Sequence, residues 1–336
     1  MTRYRSRMGM AALLLWGCGA SVASVALVAL VAPIALAAYP DRPVRLVVPV
    51  APGGAVDVVG RITAQKLGGI LGQNMVVDNR PGANYIIGTE VVARAPGDGY
   101  TLLTTAGGHT INPVVYKKLP YDTFRDFTPI SHICNSSGLV IVVHPSVPIN
   151  TLQQLIDFAR TNPGKMIYVS AGWGNSTHIA GEQFQAMTGI KLTHVPYRSA
   201  GPAVTDLLGG QVPLMFGPSP VVVPLVQAGR LRPLAFTGLK RTPQLPNVPT
   251  ADEADVKGYE STGWYGLYGP RAMPRPIVDT LNKAVKQMVQ SKDVLERFTL
   301  LNLEAVGSTP EEFAKFLKED YERYVAVAKA AKIEPQ

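Results

Sequence analysis

The sequence predicts an α/β protein made of two doubly wound, Rossmann-like domains. Three observations carry the prediction. Short apolar runs rich in Val, Ile and Leu alternate with amphipathic segments from Val44 to Thr237, the pattern left by βα units. The alternation comes in two series, one opening at Val44 and one near Asn150, after which the chain returns to long helical patterns. Four strand ends pass into helices through loops of small and hydroxylated residues, and in doubly wound sheets such loops converge where the strand order reverses.

In the first series, residues 44–50 read as a strand and 56–71 as a helix, with Pro52-Gly53-Gly54 between them. Residues 75–78 form a second strand, 86–95 a helix and 100–104 a third strand, fed by the Gly97-Asp98-Gly99 turn. Two further strands follow at 127–133 and 138–144. The second series opens with a helix over 151–160, for which Asn150 or Thr151 is the N-cap. Asn162-Pro163-Gly164 ends it. Strands at 166–170, 191–196, 212–216 and 231–237 then alternate with helices at 177–188, 201–208 and 221–228, stopped by Gly189, Gly209-Gly210 and Gly229. Beyond the segment 264–268, two final helices cover 276–290 and 310–332. This order suits crossing segments near 143–148 and 257–263. It places residues 38–143 plus 262–336 in one domain and 144–261 in the other.

The N-terminus reads as an export signal over residues 1–37. Arg3, Arg5 and Arg7 form a basic head, an apolar run follows, and Ala35-Leu36-Ala37 fits a small-x-small cleavage site. A membrane anchor is the competing reading of the apolar run, and Cys18 sits in a poor lipoprotein box beside Trp16. Cleavage takes the formal charge from +8 to +5. No dense Lys/Arg stripe interleaved with aromatics occurs, so a nucleic-acid partner is excluded. Cys134 is left as the only cysteine, which points to a buried structural thiol and no internal disulfide.

Catalytic chemistry finds little support. The five histidines form no close pair of the zinc-ligand kind; His178 and Glu182 share a helix face at i,i+4, a spacing that also suits a structural contact or a capping role. Ser170-Ala171-Gly172 occupies a strand-to-helix corner, but Tyr168 stands where a nucleophile elbow needs its first glycine. Gly172-Trp173-Gly174 lacks the third glycine of a dinucleotide fingerprint, and no phosphate-loop lysine is present. The expectation is therefore no enzyme, no cofactor and no metal.

The loops carry the chemistry instead. Gly53 and Gly54 reach backbone angles closed to other residues and place no side chain between main chain and ligand. The helix behind them offers unpaired N–H groups to an anion. Thr104–His109, Ser170–His178 and Tyr197–Pro202 repeat the arrangement. For each loop alone, a tight turn with ordinary helix capping is the alternative.

At these residues the chain resembles the Bug-type periplasmic binding proteins, the substrate-binding components of tripartite tricarboxylate transporters. The resemblance runs through Val48-Pro49-Val50-Ala51-Pro52-Gly53-Gly54-Ala55-Val56-Asp57, Asp78-Asn79-Arg80-Pro81-Gly82-Ala83, Ala95–Leu102, Tyr168–Gly172 and His194–Ala203 with Asp206–Val212. It covers nearly all of the chain beyond the signal. It implies a monomeric, periplasmic two-domain clamshell of the type II binding-protein kind that closes on a small carboxylate (a dicarboxylate, tricarboxylate, amino acid or aromatic acid) and meets membrane transporter subunits transiently. Carried over by position, Pro52, Gly53, Gly54 and Asp57 would hold the ligand from the first domain. Ser170, Gly174, Asn175, Thr177 and His178 would face them, with Ser199, Ala200 and Gly201 from the next loop. Asp57 has the alternative of serving only its helix dipole. Where the family usually has two glycines this chain has Asn84 and Tyr85, so the ligand is not inherited, and Tyr85 is expected to narrow the pocket or to cover an aromatic or short ligand. Trp173 is expected either to line the cleft or to pack at the surface. A ligand sensor for a signalling receptor and a secreted hydrolase or lyase are the rival readings.

Overall fold

A computed structural model describes residues 39–335. The expected export segment, with its cleavage motif and Cys18, lies outside the described residues. In chain order, β1 (Val44–Val48), α1 (Ala55–Leu71), β2 (Met75–Asn79), α2 (Ile86–Ala93), β3 (Thr101–Ala106), α3 (Gly108–Val115) and β4 (Phe127–Ser136) come first. Then follow β5 (Leu139–Val143), α4 (Leu152–Thr161), β6 (Ile167–Ser170), α5 (Ser176–Thr188), β7 (Thr193–Pro196), α6 (Ala200–Leu208), β8 (Leu214–Pro218), α7 (Ser219–Gln227) and β9 (Arg232–Phe236). The chain closes with β10 (Gly263–Pro270), α8 (Arg275–Gln290), α9 (Lys292–Leu300), β11 (Leu303–Ala305) and α10 (Pro310–Ala330).

The strands form a six-stranded sheet, ordered β11-β4-β10-β3-β1-β2, and a five-stranded sheet, ordered β7-β6-β8-β5-β9. Both belong to one compact unit that begins at Pro40. The predicted α/β class holds, but the sheets are mixed where the alternation pointed to parallel units. β10 runs antiparallel to β3 and β4, β11 to β4, and β5 to β8 and β9. The reason lies in how the chain changes sheets. It leaves β4 and enters β5 across Ser137-Gly138 alone, with no crossover helix to impose a parallel direction.

That link also moves the first crossing from the expected 143–148 to 137–138. The run 139–143 is buried at every position and pairs on both sides inside the five-stranded sheet, so it belongs wholly to that sheet. The chain returns to the six-stranded sheet after Ser261, which donates its N–H to the Thr237 carbonyl at 3.0 Å, and β10 opens at Gly263. Thr237 fastens both crossings, since its hydroxyl accepts from the Leu139 N–H at 2.7 Å and donates to the Ser261 carbonyl at 2.5 Å.

Local sequence accounts for most helix ends. Thr151 caps α4 by accepting from the Gln154 N–H at 3.2 Å, and Thr309 with Glu312 builds a capping box on α10. The five-stranded sheet buries one apolar cluster around Tyr168, Phe184 and Phe216 on one face and a second around Val142, Met215 and Val222 on the other. Cys134 lies fully buried in β4, where burial pushes its thiol well up in pKa, as suits a structural residue.

Candidate functional site

A cavity of about 30 Å³ lies where the two sheets meet, against the crossing strands. Six helices start at its wall. Gly54 caps α1 and Ala55 and Val56 open it; Tyr85 caps α2, Gly107 α3, Asn175 α5 and Pro218 α7, while Ala200 is the first residue of α6. Among the described residues, no Asp, Glu, Lys, Arg or His lines this cavity. Each helix start carries roughly half a positive charge with its unpaired N–H groups. Six such ends around a neutral, enclosed space make a field that favours an anion and opposes a cation.

The first loop is held in shape by Asp57. Gly53 sits at φ +81°, open to glycine at little cost, and so turns its N–H onto Asp57 Oδ2 at 2.9 Å. Arg61 Nε donates to the same oxygen at 2.9 Å, and Asn79 Nδ2 donates to Oδ1 at 2.8 Å and to the Val50 carbonyl at 2.9 Å. Burial pushes the Asp57 carboxyl up, but the bonds from Arg61, Asn79 and Gly53 outweigh it and hold it below its ordinary pKa. Of the four residues expected here, only Gly54 reaches the cavity wall. Pro52 and Gly53 shape the turn. Asp57 accepts from protein donors on both oxygens and so holds the turn in shape.

The second loop follows β6. Asn175 Oδ1 accepts from the Thr177 N–H and hydroxyl, each at 3.1 Å, and the Thr177 hydroxyl accepts from the Ala171 N–H at 2.8 Å. His178 Nδ1 accepts from the Gly174 N–H at 3.1 Å, closing the turn in the capping role the sequence allowed. Asn175 and Thr177 line the cavity; Ser170, Gly174 and His178 do not. The Ser170 hydroxyl is engaged by Gly172 and lies 2.7 Å from His194 Nε2. Behind the loop His178 stacks on His194 at 4.1 Å, and His194 stacks on Tyr168. Burial, with the neighbouring His194 ring, holds the His178 imidazole down to about 3, and burial holds His194 down to about 4. His178 Nε2 and Glu182 Oε1, 3.6 Å apart, are therefore no ion pair at neutral pH.

The third loop meets the first. A Cβ on Gly201 would stand 2.9 Å from the Pro52 carbonyl, so only glycine lets α6 start this close to the Pro52–Gly54 turn. Ala200 reaches the cavity wall. Ser199 caps α6 without a side-chain bond, and its buried hydroxyl has no partner.

Asn84 and Tyr85 link the two sheets' loops. Asn175 Nδ2 donates to the Tyr85 hydroxyl at 2.9 Å and to Asn84 Oδ1 at 3.2 Å. Trp173 packs between Tyr116 and His178 and lines an outer groove of about 510 Å³ with Gly82, Ala83 and Asn84. It thus stands at the rim and not on the inner cavity.

Sequence reasoning missed the aromatic floor. Trp264 and Tyr265 come from β10 and Tyr324 from α10, far from any Gly-rich loop. The Trp264 Nε1–H donates at 2.8 Å to the buried Asp320 carboxylate, which Arg323 also engages. The aromatic Trp264-Tyr265 pair entering an apolar run was the one available signal.

A family model described as the tripartite tricarboxylate transporter family receptor (TctC) matches residues 59–333. The protein of the tcbD–tcbE intergenic region of Pseudomonas sp. is 39% identical over 287 residues, 85% of this chain and 85% of that protein. Protein BugT of Bordetella pertussis is 33% identical over 293 residues, 87% of this chain and 90% of its own. Among solved structures, an R. palustris protein with adipate is similar at TM-score 0.86 and 35% identity, covering 89% of this chain and all of that one. The periplasmic binding protein BugD is similar at TM-score 0.86 and 34% identity with the same coverage. MatC of Rhodopseudomonas palustris, with bound malate, is similar at TM-score 0.82 and 29% identity, covering 86% of this chain and 99% of its own.

Proposed function

From the premise that this chain belongs to the tripartite tricarboxylate transporter receptor family, we propose that it captures a small carboxylate between its two sheets and hands it to membrane-embedded transporter subunits. The observation that carries this reading is the neutral cavity ringed by six helix starts. A carboxylate there replaces water with backbone N–H donors at Ala55, Val56 and Ala200 and with the hydroxyl of Ser176, and needs no buried cation. The adipate and malate in the related structures are ligands of that class.

A cavity of about 30 Å³ has room for roughly one or two waters, too little for such an acid. Entry therefore requires the sheets to part about the crossings at 137–138 and 261–263, a hinge motion in which ligand binding shifts the open–closed population. The domains then divide at those crossings. The protein acts outside the cytoplasm as a monomer, after removal of the N-terminal signal, and makes and breaks no bond in its ligand.

The test is a thermal melt of protein refolded to strip carried-over ligand, over a panel of organic acids and their uncharged amides. An acid at a hundred times its Kd adds about 2.7 kcal/mol of stability and raises the melting temperature by several degrees, while its amide leaves it unchanged. Recovery of the acid intact after incubation supports binding without turnover. A melt that no acid moves, or that amides move equally, overturns the reading.

A further inference from the structure

We propose that Asn84 and Tyr85 form a partition that limits the cleft to short-chain acids. The inference deepens the carboxylate reading above and rests on it. Asn84 lies on the wall of the outer groove and Tyr85 on the wall of the inner cavity, and both are bonded to the same Asn175 amide. The partition therefore stands between a space of about 30 Å³ and one of about 510 Å³.

The partition is held from behind. Asn84 Nδ2 donates to Asn112 Oδ1 at 2.7 Å, and Asn112 Nδ2 returns a bond to the Asn84 carbonyl at 2.8 Å. The Tyr85 ring lies against the backbone at the start of α3: a Cβ on Gly108 would come within 2.6 Å of two ring carbons. Ala83, Asn84 and Tyr85 sit in succession at φ +44°, +46° and +75°, a left-handed run that L-residues rarely adopt. Strain of this kind persists where surrounding contacts over-determine it, and it clusters at ligand clamps and switches. Here the contacts are Asn112 on one side and Asn175 across the cleft.

Tyr85 is also a reader. Burial pushes its phenol up to about 12, so the hydroxyl is protonated at neutral pH. Its oxygen accepts from Asn175, which leaves its own proton to donate to an oxygen at the far end of a short ligand. An acid with a longer chain has to displace the ring or break the Asn175 bonds.

The experiment is calorimetry of malonate, succinate, glutarate and adipate with the stripped full chain. The wild type is expected to bind malonate or succinate at least tenfold more tightly than adipate. The double variant Asn84→Gly, Tyr85→Gly, whose glycines suit the positive φ angles, is expected to gain at least tenfold for adipate and so reverse the order. Tyr85→Phe keeps the ring, so it keeps the bias against adipate but weakens the short diacids severalfold. Acids that bind with the same length order in wild type and double variant overturn the inference alone. Failure of every acid to bind either protein overturns the carboxylate reading, and this inference with it.

Discussion

Gly53 and Asp57 face each other across one turn, with the Gly53 N–H donating to Asp57 Oδ2 at 2.9 Å. This bond fixes the turn that aims Gly54 and the first N–H groups of α1 at the cavity. Asp57→Ala leaves the Gly53 N–H and the Asn79 amide short of an acceptor, at a cost of about 2 kcal/mol. The half-exposed Arg61 end of the pair contributes less, under about 1 kcal/mol. Urea unfolding checks the loss, and calorimetry with a bound acid should show roughly tenfold weaker affinity, the size of one such bond. Because the folded carboxyl titrates below its ordinary 3.8, its contribution is complete above that value and fades as pH falls through the folded one. Asp57→Asn should remove that acid limb from the stability profile.

Ser199 offers the opposite balance. Its hydroxyl is buried and unpartnered at the start of α6, beside Gly54. An unmet buried hydroxyl stabilises nothing, so Ser199→Ala should leave the melting temperature of the ligand-free protein unchanged or raise it slightly. Toward a carboxylate the same change should weaken binding about tenfold or more, because a hydrogen bond to a charged group is worth about 1.5–3 kcal/mol. A variant with lower stability and unchanged affinity would place the hydroxyl in the fold and not in the site.

The fold was legible in the sequence where periodicity and caps agree. Helix α1 was expected over 56–71 and occupies Ala55–Leu71, and of the two expected caps, Asn150 and Thr151, it is Thr151 that caps α4. Strand direction was not legible, because an apolar run such as 139–143 reads the same in a parallel and an antiparallel ladder. Helix α3 was hidden by Gly108, Asn112 and Pro113, each a poor helix residue, held helical by packing around Ile111 and Val115. In the site, the glycine loops marked where the cavity between the two sheets lies. They did not tell which polar groups face inward, since Asp57, Ser170 and His178 use their polar atoms on neighbouring backbone and side chains. Trp264, Tyr265 and Tyr324 reach the cavity only through tertiary packing of β10 and α10.

The stacked His178 and His194 make stability depend on pH. Folded, they titrate at about 3 and about 4, against an ordinary value of 6.5. The unfolded chain therefore takes up protons below pH 6.5 while the folded chain does not. Their contribution is complete above pH 6.5 and is lost between there and their folded values, by up to about 1.4 kcal/mol per pH unit for each histidine. His194→Gln keeps a polar group near Ser170 Oγ and removes one titration. Urea melts at pH 7, 5.5 and 4.5 should show a shallower acid loss in the variant, with His109 and His132 contributing equally to both proteins. Parallel profiles would mean that His194 takes up its proton in the fold as readily as in the unfolded chain.

The charge of the cavity predicts what it refuses. An ammonium brought into it meets six positive helix starts and no carboxylate among the described residues on the wall. Burying such a charge without a counter-ion is costly even with carbonyl oxygens nearby. Succinate and aspartate differ by one ammonium, as do propionate and alanine, so each pair isolates that cost. The acid should bind about 100-fold more tightly than its amino counterpart, a difference of about 2.7 kcal/mol. Competition calorimetry on the stripped protein measures both ratios. Equal affinities within either pair would show that backbone carbonyls cage the ammonium well enough to cancel the helix field, and would move the basis of selectivity from charge to shape.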